Sequence, residues 1–393
     1  MNQLNQLPAC LRRSIVGAGA ALAMAMALAT PSLAMANADS KPFPQIANPK
    51  VYVIPMKGQL GTDIIKDIYD DIVKDVRKSK PDILVFTLDS SEIDRTPFLD
   101  EDDKPAEEQS RPNPQAMREL VLLLRVELGD IPQAIWISDG FGVTSLLALT
   151  WPDLYMKDGA RFGGIGEIIP RIKKQWDDPD VRAKMVAAWA GIFKGLSEQG
   201  GYPEALADAM LYPEAKLSAT FEGRLVKFLP DTSGQWVIDS RDDNTASFEA
   251  DLAEDIGLSD GTAETLEDLV FLLGYREFQK IDTGEKMYNE YVEDWRRAFE
   301  NAWELYREAR RAGSDERAIK KQKSNYDKII SIMKRYPAVE TRFQGRGGPG
   351  IQDLERAIEQ INEQIRSLKG GGRGSSGGGG GGRNAPGSGP GAR

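Results

Sequence analysis

Residues 138–149, SDGFGVTSLLAL, put two hydroxyls, Thr144 and Ser145, just past a glycine-containing turn and at the head of an apolar run. Small residues before such a run can deliver a reactive hydroxyl to a helix start, and they serve equally as a tight turn into a core. The chemistry open to these hydroxyls is narrow. The chain has no histidine, which excludes Ser-His-Asp and Cys-His mechanisms and every histidine-ligated metal site. A hydroxyl nucleophile here would need lysine as its base. The single cysteine, Cys10, leaves no intramolecular disulfide, thiolate cluster or redox pair. The acidic run at residues 100–103 lacks the spacing and central glycine of a calcium loop and reads as solvated surface. Gly163, Gly164 and Gly166 in FGGIGE complete neither a dinucleotide nor a P-loop fingerprint, so no metal and no cofactor is expected.

The elements that must position these residues follow from periodicity. Residues 51–55 and 82–89 are apolar runs of buried-strand type, and residues 133–138 give a third. Between them, residues 62–79 and 116–128 carry helical spacing, the first through Ile64, Ile65, Ile68, Tyr69, Ile72, Val73 and Val76. Strands alternating with helices predict βαβ units and a parallel sheet. The connection at residues 90–114 is acidic, proline-rich and long, either a lid over a site or a solvated insertion. Further on, residues 179–199 and 203–210 are predicted helices, and residues 224–229 and 235–239 are strand candidates around the turn PDTSG, expected to form a hairpin. Helices are predicted at 248–255 and 265–273, with Gly257 ending the first and Thr262 or Thr265 capping the second. The core domain is expected to close near Tyr275.

From 287 to 336 the pattern is a long charged helix or helical hairpin. Its aromatics Tyr288, Tyr291, Trp295, Phe299, Trp303 and Tyr306 recur at spacings of three and four, a packing seam. A second helix, 351–368, shows Leu354, Ile358, Ile361 and Ile365 on one face. The pair predicts an antiparallel hairpin or an oligomerisation coil. Residues 369–393 are glycine-rich and purely basic, expected to be a disordered tail that is either solvated or in loose contact with acidic polymers or RNA.

The whole chain, 393 residues with 41% hydrophobic content and net charge −10, is long enough for about two domains. Its acidity argues against nonspecific binding to nucleic acid or to anionic membrane surfaces, apart from any segment whose local charge is reversed, as it is in the tail. Arg12 and Arg13, an apolar stretch at 15–29, and SLAMANA with Ala-x-Ala sites after Ala36 or Ala38 predict a signal peptide over residues 1–36 and a linker over 37–49. Export is expected, by the general or the twin-arginine route, to the periplasm or cell envelope; retention as an uncleaved anchor is the alternative.

Four blocks, VYVIPMKGQLG, DILVFTLD, SLLALTWPDLYMKDGARFGGIGE and FEADLAEDIGLSDGTAETLEDLVFLLG, resemble successive blocks of the NfeD-type membrane-associated serine proteases. These are relatives of signal peptide peptidase A within the ClpP/crotonase superfamily. The resemblance covers residues 50–275. It implies an α/β fold, the ClpP/crotonase-like spiral of repeated ββα units, followed by a helical extension over 276–368 and the tail over 369–393. It also implies an oligomer and a Ser-Lys dyad. The family's nucleophile position falls on Gly142, which has no side chain to attack with, and the nearest hydroxyl on a similar helix side is Ser145, one turn on. A turn is ~5 Å, beyond the tolerance of nucleophilic attack. The general-base position falls on Lys184. Lys184 lies roughly 110° from the centre of an apolar face set by Val181, Met185, Ala188, Trp189, Ile192 and Leu196, so it can reach inward or snorkel outward. The family's Pro-Gly-Gly oxyanion turn is replaced by Ser90 and Ser91, with Glu92 and Asp94 close by, carboxylates that would oppose an oxyanion.

The resemblance therefore implies an exported homologue of these serine proteases, catalytically degenerate, that holds a peptide or protein segment or assembles as a scaffold. The partners it implies are a peptide segment and further copies of itself, with peripheral membrane or envelope association and no specific nucleic acid. The alternative is an active Ser-Lys endopeptidase using Ser145 and Lys184. A crotonase-type CoA-thioester enzyme is permitted by the fold but disfavoured by export.

Overall fold

Val51, Tyr52, Val53, Ile54 and Met56 are all buried in the first strand, β1 (Lys50–Lys57), as a strand covered on both faces requires. The structure is a computed structural model and describes residues 41–90, 114–167, 169–170, 176–223 and 225–370, all within the unit Leu33–Arg393. The expected signal peptide, most of the acidic insertion and the glycine-rich tail lie outside the described residues.

After β1 come α1 (Lys66–Ser79), β2 (Ile83–Asp89), and α2 (Pro114–Val121), which continues into a π turn at Leu122–Val126. Then follow β3 (Gln133–Phe141), α3 (Thr144–Ala148), β4 (Leu154–Met156) and β5 (Arg161–Gly163). The second half holds α4 (Pro179–Gln199), α5 (Glu204–Leu211), β6 (Leu217–Glu222), β7 (Leu225–Leu229), β8 (Trp236–Asp239), β9 (Ser247–Glu249), α6 (Ala250–Asp255), α7 (Leu266–Leu272) and β10 (Gln279–Ile281). Four helices close the described chain: α8 (Thr283–Arg311), α9 (Glu316–Arg335), α10 (Pro337–Gly345) and α11 (Ile351–Gly370).

The fold is α/β, as expected, built on a sheet of order β10-β1-β2-β3-β5-β9 in which only β9 runs antiparallel to its neighbour. β3 has two partners on one side: Ile135 to Ile137 pair with β4, and Gly140 and Phe141 pair with β5. One face of the sheet carries Tyr52, Ile54, Phe86, Ile135 and Ile137 into the main core. The other buries Val51, Val85, Trp136 and Tyr155 against Leu269 and Val270 of α7. Thr265 caps α7 with a capping box to Asp268, one of the two caps the sequence offered.

Two expectations change. The strands at 225–229 and 236–239 do not pair with each other; β6 lies between them, giving the order β7-β6-β8. The boundary near Tyr275 precedes β10, which adds to the free edge of β1, and α8 then crosses β1 at very close range. A Cβ on Gly284 would lie 2.6 Å from the Tyr52 ring and 2.8 Å from the Val53 carbonyl, so only glycine fits. Asp75 ties the crossing together by accepting from the Tyr52 hydroxyl at 2.8 Å and the Thr283 hydroxyl at 2.6 Å. Tyr288 is buried in the main core and its hydroxyl donates to the Lys57 carbonyl. The helical extension thus begins inside the α/β core.

Beyond Tyr288 the aromatic stripe serves as the predicted seam. Phe299, Trp303 and Tyr306 surround Phe343 of α10 at centroid distances of 6.1, 4.9 and 5.4 Å. α8 and α9 form an antiparallel hairpin in which Asn325 donates to the Leu305 carbonyl at 3.3 Å. α11 starts beside the end of α9, where Lys334 meets Glu355 at 3.3 Å, and packs back along α9 through Leu354 and Ile361.

Candidate functional site

In open parallel sheets, ligands bind outside the carboxyl ends of the strands, and the turn at residues 138–149 lies there, between β3 and α3. Gly142 adopts φ +93°, a region where an L side chain is disfavoured, and donates its N–H to the Gly163 carbonyl at 2.8 Å. The two hydroxyls that follow are fully occupied. Thr144 is buried and donates to the Ser90 carbonyl at 2.6 Å. Ser145 has no exposed surface. Its Oγ lies within hydrogen-bond reach of the Gly140 and Gly163 carbonyls and accepts the Gly163 N–H at 2.9 Å. Thr144 therefore staples α3 to the end of β2, and Ser145 staples it to β3 and β5.

The backbone around the turn is likewise committed. Ser90 donates its N–H to the Asp139 carbonyl at 2.8 Å, and its hydroxyl to the Gly58 carbonyl at 2.5 Å. An oxyanion device needs N–H groups aimed at a reacting atom; those of Ser90, Gly142 and Gly163 are spent inside the protein. Ser91, Glu92 and Asp94 lie outside the described residues.

Lys184 is not brought to this turn by any hydrogen bond, and it is exposed on α4. The predicted apolar face of α4 holds only in part. Trp189 and Leu196 are buried together with Ala190, Phe193 and Ser197, whereas Val181 and Ala188 are exposed. In its first turns Met185 and Val186 are half-buried against the main core, while Val181, Lys184 and Ala188 are left in solvent. A different lysine on this helix is the engaged one. Lys194 pairs with Asp208 at 2.9 Å and Glu204 at 2.6 Å, and the hydrogen bonds it donates to Asp208 and Glu204 hold its ammonium well above the usual lysine range. That is the opposite of what a general base requires.

Sequence reasoning missed two ion pairs at the strand ends: Lys57 with Asp89 at 3.0 Å and Asp139 with Arg161 at 2.9 Å. Charges closing otherwise apolar strands were the available signal. The Oδ1 of Asp139 is buried with no hydrogen-bond partner among the described residues. An open apolar groove of about 480 Å³ lies where the first half of α4 passes Tyr212, lined by Pro179, Arg182, Ala183, Val186 and Ala187. Such a groove suits an extended apolar segment better than a small polar ligand.

A second titratable cluster lies at the start of β4. Burial, reinforced by the charge of Asp260 and opposed by Arg125, pushes the Asp153 carboxyl up to about 7. Asp260 accepts the Leu154 N–H at 3.0 Å, so it holds the loop before α7 against β4. Among the described residues no group of carboxylates or other ligands is arranged to hold a metal ion, and no helix is long and apolar enough to cross a membrane.

No family model and no curated protein matches the chain. Among solved structures, a serine-to-alanine variant of the 1510-N membrane-bound stomatin-specific protease is similar at 14% identity and TM-score 0.38, over 60% of this chain and 99% of that one. A peptidase from Plasmodium falciparum gives 14% identity and TM-score 0.30 over 54% and 96%. A probable enoyl-CoA hydratase/isomerase from Mycobacterium abscessus gives 12% identity and TM-score 0.28 over 81% and 88%.

Proposed function

We propose that this chain is an exported homologue of the ClpP-class serine proteases that has lost catalysis and acts as a peptide-binding scaffold in the cell envelope. One observation carries the reading: the two hydroxyls that follow the family's nucleophile position, Thr144 and Ser145, are both buried structural staples. A nucleophile must be reachable and hydrogen-bonded to its base, and Ser145 is neither. The apolar groove beside α4 supports peptide holding, since a bound segment needs apolar contact.

The test has two arms. The purified protein is mixed with an unstructured apolar peptide and with a fluorophosphonate probe, beside Ser145→Ala and Lys184→Ala variants. No cleavage and no labelling of Ser145 are expected; cleavage abolished by both substitutions would establish an active dyad instead. In the second arm, fluorescence anisotropy of the same peptide should report binding that Val186→Asp weakens. Binding indifferent to that change moves the peptide site away from the groove.

A further inference from the structure

The end of the helical bundle formed by the α8–α9 turn is strongly basic in an acidic protein. Residues 307–323 hold seven arginines and lysines against three carboxylates, a local charge of +4 in a chain of net −10. Contacts between Glu308 and both Asn325 and Lys321 set the last turn of α8 beside the first turns of α9, so these cations share one tip. Arg307, Arg311 and Arg317 are exposed and make no hydrogen bond or ion pair among the described residues.

Helix stability accounts for only part of this charge. Cations in the last turn of α8, Arg310 and Arg311, favour the negative end of the helix dipole. Arg317, Lys320 and Lys321 lie within the first two turns of α9, where the dipole opposes them. Asp315, the capping residue, Glu316, paired with Lys320 at 2.7 Å, and Glu308, paired with Lys321 at 3.4 Å, offset them in part, and Arg317 has no such pair among the described residues. α11 runs back toward the same end and finishes in exposed Arg366 and Leu368, the latter 50% exposed. Charge placed against local stability, with an exposed aliphatic side chain beside it, calls for a partner outside the chain.

We infer that this tip is a docking surface for an anionic lipid bilayer, with the arginines and lysines on headgroup phosphates and Leu368 at the acyl boundary. Single-stranded nucleic acid would want exposed aromatic rings for stacking. The nearest ring, Tyr306, is only partly exposed and lies beneath Arg310 at 5.9 Å. A flat lipid surface needs no such platform. Each cation near an anionic leaflet contributes on the order of a fivefold gain in binding.

The inference does not depend on the peptide-holding reading, and its test reads a different property. The purified full chain is floated with vesicles of phosphatidylcholine alone, and with vesicles containing about one-third phosphatidylglycerol, at low and high salt. The N-terminal segment carries Arg12 and Arg13 and also favours anionic vesicles, but it is common to native and variant chains, so the loss seen in the variant isolates the tip. Binding should favour the anionic vesicles and weaken with salt. The triple variant Arg307→Glu, Arg311→Glu, Arg317→Glu should bind them at least about a hundredfold more weakly, with unchanged circular dichroism; the corresponding triple Gln variant, milder for the fold, should lose about half as many orders of magnitude. A chain ending at Gly370, which lacks the basic residues Arg373, Arg383 and Arg393, should keep most of the charge-dependent binding. Equal binding by native and variant chains, binding lost only on removing the tail, or capture of single-stranded nucleic acid in place of vesicles would overturn the inference.

Discussion

At Gly142 the backbone and the chemistry make opposing demands. A serine there would stand where the resembling proteases carry their nucleophile, but it would have to accept φ +93°, at a cost of about 1–2 kcal/mol. It would also gain neither a nearby base nor the N–H groups of Ser90, Gly142 and Gly163, which are already spent inside the protein. Gly142→Ser is therefore expected to lower stability by that amount in urea titration and to hydrolyse no peptide; turnover above a blank would show that the rest of the machinery survives. Asp153 offers an independent test. Its carboxyl is raised from the ordinary 3.8 to about 7, so the folded state binds the proton more tightly than the unfolded chain. The associated stability is fully present below pH 4 and is lost as pH rises through 7. Asp153→Asn keeps the neutral form at every pH, so it should be more stable than the native chain at pH 8 by about 2–4 kcal/mol, with the gain shrinking as pH falls below 7 and vanishing near pH 4. Of the site, the absent histidine and Gly142 were legible in the bare sequence because they are matters of residue type. The fate of Ser145 was not, because the Gly163 N–H that it accepts belongs to a strand 18 residues away.

Among the elements, those with strong local signals were read closely. The helices of the extension and α1 follow from a 3.6-residue period that survives wherever one face is buried. β6 was missed because LSATFE mixes small, polar and aromatic residues, and only its two partners make it a strand. The first half of α4 shows the converse, an amphipathic pattern that reaches the core only in part, through half-buried Met185 and Val186. The α8 crossing was unreadable because Arg296 and Asp63, which pair at 2.8 Å, stand 233 residues apart. Asp63 is 1% exposed, and burial raises its carboxyl against the pull of Arg296. Its other oxygen accepts the Gln59 N–H at 2.9 Å. Removing the guanidinium leaves a buried carboxylate without its counter-charge, so Arg296→Ala should destabilise by about 3–5 kcal/mol in chemical denaturation. Much of the loss should return when Asp63→Asn is added, and a strictly additive double variant would show that the pair is not coupled.

For the molecule as a whole, the extension is a structural part of the α/β core. A chain cut after Tyr275 loses β10 from the edge of β1, and with Tyr288 a buried side chain of the main core. Such a fragment should be recovered mainly as aggregate on gel filtration, since an unpaired strand edge and bare apolar surface both promote association. A soluble fragment with cooperative unfolding would mean that the core stands alone. The same closure has a consequence for synthesis. The Tyr288 hydroxyl reaches the Lys57 carbonyl across 231 residues, and the backbone of Gly284 presses on Tyr52 and Val53. A chain emerging from the ribosome one end first has made its first core strand long before the helix that seals it exists. Contacts of this span fold slowly, so the nascent chain stays open until it is three-quarters made.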